Sequence, residues 1–190
     1  MKHTKSFSFG TFFLASFILF SCADESSSSL EKSSYFDLKG FIETHIQEID
    51  GVEVIKDSEI QGDTKQATVI YSAKDWEDEF SLFNEADINK SSLIQSYETI
   101  STDDMLSHKL LPNGRNKVKY ITVTYSDGQV SSVSIKIADD NLFYSSTTLG
   151  EIYMNKSTNL IDRYVIETSQ KIWFLDRNEM KIEGKIIPKQ

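Results

Sequence analysis

The sequence predicts an α+β domain: an antiparallel meander of about six to eight strands in the carboxyl half, with two amphipathic helices from the amino-terminal half. Three observations carry this expectation. Apolar residues recur at three- and four-residue steps over residues 38–49 and again over 76–83, the period of a helix with one buried face. From Lys117 onward they follow the shorter period of strands, punctuated by Asp127-Gly128 and Arg177-Asn178. The whole chain holds only two prolines and eight glycines with a 12% aromatic share, the composition of a packed domain and not of a disordered stalk.

Residues 1–21 stand apart from that domain. Lys2 and Lys5 precede an apolar stretch over residues 7–20, which is shorter than the roughly 20 residues a bilayer-spanning helix needs. This is the layout of a signal peptide. The stretch ends in Leu19-Phe20-Ser21-Cys22, which resembles the bacterial lipobox: an aliphatic residue, a free position, a small residue, then cysteine. Leu19 and Ser21 fit that pattern, and the bulky Phe20 is less usual. Cys22 is the one cysteine of the chain, so it has no internal disulfide partner, and it falls where the apolar run gives way to a polar segment. The resemblance implies cleavage before Cys22 and acylation of that residue. One acyl chain binds membrane only marginally, and the diacyl or triacyl group of such proteins supplies the rest. Ala23 occupies the position where an aspartate would resemble an inner-membrane retention signal, so outer-membrane delivery is expected. Asp24-Glu25 resembles the acidic export signals of surface lipoproteins of the Bacteroidota; the periplasmic and cell-surface faces both stay open.

Removing residues 1–21 takes two lysines and no acid, leaving 169 residues with 18 basic and 29 acidic side chains, a net charge of −11. Such a surface repels nucleic acid and anionic head groups. It is also long enough to bury a core without disulfides.

Residues 22–34 read as the lipidated cysteine and a Ser-rich tether, with roughly 20 Å of reach at flexible-chain dimensions. The domain is expected over residues 35–190. Leu38, Phe41, Ile42, Ile46 and Ile49 mark the first helix, stopped by Asp50-Gly51. Two β-like runs, residues 52–59 and 65–73, flank Gln61-Gly62-Asp63 as a hairpin. A second helix then starts with a cap at Ser72 or Asp75, carries Trp76, Phe80 and Phe83 on one face, and ends near Asp87-Ile88-Asn89. Residues 91–111 show no pattern, and Pro112-Asn113-Gly114 closes them. Residues 118–125 and 130–137 flank Asp127-Gly128. A two-residue turn alone would set Ile121 and Val123 opposite Ser134 and Ser132, whereas an odd loop or a bulge pairs Ile121 with Ile135 and Val123 with Val133. Matching apolar faces fixes register, which favours the odd loop or bulge. Strands over 142–149, 151–155 and 160–168 follow. A last hairpin around Arg177-Asn178 is expected to set Trp173 opposite Ile182 and Leu175 opposite Met180. No repeat of solenoid length is visible.

Chemistry-bearing residues are sparse. The mature chain has two histidines, His45 and His108, too few for a zinc-type site. His45 belongs at the margin of the first helix's apolar face and His108 in a polar connection facing water. No Gly-x-Ser-x-Gly elbow or Gly-rich phosphate loop appears. The dense acidic spots, Asp75/Asp78/Glu79, Asp103/Asp104 and Asp139/Asp140, read as a helix start and polar turns, and Asp139-Asp140-Asn141 lacks the spacing of an EF-hand loop. No metal, cofactor or catalytic residue is expected. Apolar residues point to both faces of the carboxyl-terminal sheet, and two helices can cover only one. The uncovered strip, including Phe143, Tyr144 and Phe174, is the expected interaction surface.

Residues 35–42 (Tyr-Phe-Asp-Leu-Lys-Gly-Phe-Ile), Asp75-Trp76, residues 83–90, residues 141–146 and the strand pair around Tyr164 together resemble a group of uncharacterised Bacteroidota lipoproteins. The resemblance spans most of the mature chain and implies an envelope location, without a function. The leading expectation is a non-enzymatic binding or accessory module at the outer membrane, attached through its lipid and holding a protein, glycan or lipid partner. Its size and sheet also resemble the Lol outer-membrane receptor, which implies a lipid or lipoprotein carrier with an apolar cavity. A hydrolase using two carboxylates is the third expectation.

Overall fold

The computed structural model describes residues 34–188; the signal peptide, Cys22 and all but the last residue of the tether lie outside the described residues. Helix α1 (Leu38–Glu48) opens where the Asp37 carboxylate accepts the Gly40 N–H at 3.0 Å, a side-chain cap on an otherwise unsatisfied donor. It ends at Gly51, whose φ of 65° turns the chain into β1 (Val52–Ile60). β1 returns as β2 (Asp63–Tyr71) through Gln61-Gly62, so the first hairpin forms as read. Ser72 then caps α2 (Ala73–Glu79) in a reciprocal capping box with Asp75.

The second helix departs from expectation. It breaks at Phe80 and resumes as the one-turn α3 (Ser81–Glu85), so there are three helices and not two. The stretch over 91–111 departs further: after a 3-10 turn at Ser91–Leu93 it forms β3 (Tyr97–Ser101) and β4 (Met105–Leu110). β5 (Val118–Ser126), β6 (Gln129–Asp140), β7 (Tyr144–Met154), β8 (Ile161–Ile172) and β9 (Asn178–Ile187) complete the chain. All nine strands join one antiparallel sheet in the order β2-β1-β9-β8-β7-β6-β5-β4-β3. It is a meander from β3 to β9 with the first hairpin laid against β9. The sheet has nine strands and not six to eight: β3 and β4 were not legible, while residues 142–149 and 151–155, expected as two strands, form the single strand β7 because Gly150 continues the ladder opposite Ile135 and Ile166.

The bulge reading holds in detail. Asp127-Gly128, both at positive φ (53° and 78°), make a two-residue turn, and Ser131 then stands as an extra residue, so Val123 meets Val133 and Ile121 meets Ile135. A second irregularity at Lys119 brings Val118 opposite Ile137 on that same face. The last hairpin is different: Ile182 pairs with Ile166 and Met180 with Thr168, while Trp173 and Leu175 lie outside the ladder. Tyr164 and Gly184 account for this register. They are directly paired, and a Cβ on Gly184 would fall 2.1 Å from the Tyr164 ring. Only glycine lets that phenol lie across β9.

The helices cover one face of the sheet. Leu38, Ile42, Ile46, Trp76, Phe80 and Phe83 bury against Val54, Ile121, Val133, Ile135, Ile152 and Tyr164. The other face is mainly polar, and the apolar residues expected on it, Ile55, Leu149, Tyr153 and Val165, are set among charged cross-strand partners. Lys181 pairs with Glu167 at 3.2 Å, Arg163 with Glu183 at 3.9 Å, and Ser107 with Thr122 at 3.0 Å. Cross-strand pairs of this kind satisfy a solvent face without a covering layer.

His108 does not face water. It sits buried in β4, where Nε2 accepts the Phe36 N–H at 3.0 Å and Nδ1 lies 2.9 Å from Thr99 Oγ1. An accepted N–H leaves no room for a proton on Nε2, so the ring is neutral with its proton on Nδ1. Burial holds its pKa below the ordinary histidine value. Its contribution to stability is therefore complete above about pH 6.5 and is lost as pH falls from there toward the lower folded value. Acid titration of unfolding midpoints from pH 7.5 to 5 should show a loss in the wild type that His108→Gln lacks. Parallel curves would refute this. His45 is also buried, with Nδ1 2.7 Å from the Phe41 carbonyl oxygen and its ring 4.3 Å from the Phe41 ring, a packed helix residue.

Candidate interaction surface

Antiparallel alternation puts the 141–143 and 173–177 connections at one end of the sheet, on neighbouring strands. In the first, Asn141 accepts the Phe143 N–H at 2.9 Å through its side chain and donates its own N–H to the Tyr144 carbonyl at 2.7 Å. This Asx turn props Leu142 and Phe143 outward. In the second, Leu175 N–H bonds the Ile172 carbonyl at 3.0 Å and Lys171 Nζ reaches the Leu175 carbonyl at 2.5 Å. Trp173 N–H donates to the Phe143 carbonyl at 2.9 Å, joining the two loops, and their rings sit 6.1 Å apart. The N–H groups of Asn141, Phe143, Trp173 and Leu175 bond within the loops while the side chains are left out: Leu142 is 89% exposed, Phe143 62%, Trp173 73% and Phe174 81%.

Of the residues expected here, Phe143 and Phe174 are exposed, and Tyr144 is half-buried opposite Ile172 at the end of the ladder. Trp173, Leu175 and Leu142 join them unannounced by the sequence, because the register expected for the last hairpin had placed Trp173 and Leu175 within strands. The apolar excess is strongly polarised. Of eleven exposed large hydrophobic residues among those described, nine lie at this end, Ile60, Ile94 and Leu111 included, and the other two on edge strands β2 and β3. Scattered exposed apolar residues need no explanation; the six gathered on the two joined loops, Leu142, Phe143, Ile172, Trp173, Phe174 and Leu175, do.

The acidic spots resolve into structural roles. Asp75 is the capping-box residue, its pKa lowered by hydrogen bonds from the Ser72 side chain and backbone. Asp78 pairs with Lys74 at 2.8 Å, Asp104 accepts from Thr102 at 2.7 Å, and Asp139 pairs with Lys117 at 2.8 Å. Among the described residues no group of three or more His, Cys, Asp or Glu side chains is placed to hold a metal ion. An open cleft of about 680 Å³ on the polar face is lined by Glu59, Thr147, Glu167, Arg177 and Lys181, with Leu149 and Met180 among these charged and polar side chains.

One buried polar cluster escaped the sequence reading. Glu79 reaches from the end of α2 to the sheet, where it accepts from Lys56 Nζ at 2.6 Å, from Tyr164 Oη at 2.6 Å and from Tyr71 Oη at 3.4 Å. Burial and then the Glu79 hydrogen bond and charge raise the Tyr164 phenol far above its usual range. Burial pushes the Lys56 ammonium down, but the bond and charge of Glu79, with Tyr71, outweigh it and leave the pKa raised. The cluster holds a single carboxylate, so it does not supply the paired acids of a glycosidase-type site.

Among the described residues no helix is long and apolar enough to cross a membrane. Comparison with protein-family models, with curated proteins and with solved structures finds no significant match to this chain.

Proposed function

We propose that this chain is a lipid-anchored protein of the outer membrane, on its periplasmic or cell-surface face, and that its domain is a non-enzymatic binding module. The observation that supports the binding role is the joined aromatic end, where Phe143, Trp173 and Phe174 are held out by hydrogen-bonded loops. The support for the anchor is the lipobox-like segment ending at Cys22. A carrier would need a large apolar cavity, and the helix-covered face here is filled by Trp76, Phe80 and Phe83. The binding role is therefore placed on the loops.

Cys22→Ser should move the protein from the detergent-extracted membrane fraction to the soluble fraction, since the acyl chains attach at that residue and the mature chain is strongly acidic. If the variant still fractionates with membranes, the lipobox reading is wrong. A pull-down with the anchored wild type that recovers nothing above background counts against the binding role.

A further inference from the structure

The anchor and the aromatic end meet in one geometric fact. Tyr35, the first residue after the tether, is fixed at the same end of the sheet as the two loops. Its N–H donates to Asn89 Oδ1 at 3.0 Å, its hydroxyl to the Leu93 carbonyl at 3.0 Å, and its ring lies 5.5 Å from that of Tyr97, the first residue of β3. Tyr97, Asp140, Tyr144 and Ile172 are strand termini on one side of an alternating sheet. At about 4.8 Å per strand, β3 lies roughly 15–25 Å across the sheet from β6 and β8, which carry the loops.

Cys22 stands twelve residues before Ser34. A chain of that length spans at most about 40 Å. An acyl group on Cys22 therefore leaves the two loops, which are nearer to Tyr35 than that length, within reach of lipid. What this end presents is Trp173, Phe143 and Phe174 with Leu142, Ile172 and Leu175, bordered by Lys171, Asp176 and Arg177. Aromatic and aliphatic side chains with a polar border are the composition that settles at a membrane–water interface.

We infer that the aromatic loops 141–143 and 173–177 dock onto the bilayer surface and fix the orientation of the anchored domain. The inference rests on the anchor reading and names the partner of the surface proposed above: the interfacial layer of a zwitterionic or weakly charged lipid face. Two loop tips are a weak membrane contact by themselves, which is why loss of the acyl chains still releases the protein. Tethering makes the contact intramolecular, and even a weak one is then populated. Docked this way, the strands stand off the membrane and the cleft on the polar face, which Asp176 and Arg177 of the second loop help to line, opens beside the lipid boundary.

The test uses the two tryptophans of the chain, of which Trp76 is fully buried on the inner face of α2 and Trp173 exposed. Protein expressed from the full sequence and purified in detergent is reconstituted into phosphatidylcholine vesicles, with and without lipids brominated on their acyl chains, and floated on a density gradient. Emission of wild type minus that of Trp173→Phe isolates Trp173. The expected result is flotation, with Trp173 emission shifted to shorter wavelength and quenched by brominated lipid. In a Phe143→Ser/Phe174→Ser variant the protein should still float and lose that quenching. If the protein floats and Trp173 is unquenched, docking is overturned while the anchor stands. If it fails to float, the anchor reading falls and takes docking with it. A blue shift that appears in lipid-free detergent and grows with protein concentration would assign the surface to a second copy of the chain and overturn the bilayer as its partner.

Discussion

Trp76→Ala and Phe80→Ala should each destabilise the domain by about 3–5 kcal/mol, the range for large aromatic side chains removed from a core. Both are fully buried, and they form the hub of the helix–sheet contact. The Trp76 ring lies 4.9 Å from that of Tyr71 and 5.3 Å from that of Phe80, and the Phe80 ring lies 5.1 Å from Tyr164 and 5.8 Å from Phe83. Trp76 also donates its indole N–H to the Ile49 carbonyl at 3.0 Å, satisfying an acceptor at the end of α1. Since α2 and α3 are only seven and five residues long, neither has helical stability of its own, and their packing decides whether they form. Chemical unfolding, read as a change in midpoint at constant slope, measures the loss. Trp76→Phe keeps one ring while removing the hydrogen bond and part of the indole volume, so its loss should fall between the wild type and Trp76→Ala. Wild-type-like melting of both alanine variants would mean that this face is not the core.

What could be read in advance follows the range of the interactions involved. Ile121, Val123, Val133 and Ile135 are near neighbours along the chain, so comparing their faces sufficed to place a bulge before any coordinates. The capping box at Ser72 and Asp75 is equally local. β3 was invisible for a physical reason. As an edge strand it buries only Tyr97, so no alternation marks it. In β4 the buried inward residue is His108, whose polar character suggested solvent. Its bond to Phe36 closes a gap of 72 residues, and its contact with Thr99 depends on β3. The last hairpin misled because Trp173 and Leu175 alternate as a strand would, while the actual register comes from Tyr164 filling the space left by Gly184, a vacancy with no periodicity to detect. The interaction surface was half legible for that same reason. Phe143 and Phe174 were named from apolar excess, but Trp173 had been assigned a cross-strand partner.

The Glu79 cluster gives the second large effect. Glu79→Ala should cost about 2–3 kcal/mol, below the range for a fully buried ion pair and above that for an exposed one, since both side chains are half-buried. Most of that is the penalty on what remains. The Lys56 ammonium keeps only the Tyr71 hydroxyl at 3.3 Å, and the Tyr164 phenol loses its acceptor. The side chains of Lys56 and Glu79 are 21% and 11% exposed, so water compensates little. An acid at the last residue of a helix is also unfavourable to the helix dipole, so Glu79 is held there by its partners and not by α2. The sign of the pH dependence follows from the raised lysine. The stability it contributes is present below its unfolded pKa of about 10.4 and disappears only as pH rises through the higher folded value, so the lysine's contribution is fully present at neutral pH. A triple variant, Lys56→Met/Glu79→Leu/Tyr164→Phe, removes every ionised member and the phenol that depended on them. It should recover most of what Glu79→Ala loses, because apolar replacements of similar volume carry no desolvation penalty. Urea unfolding of the single and triple variants decides the matter. If Glu79→Ala melts within about 1 kcal/mol of the wild type, the value expected for an exposed pair, the cluster is solvated and does not hold α2 to the sheet.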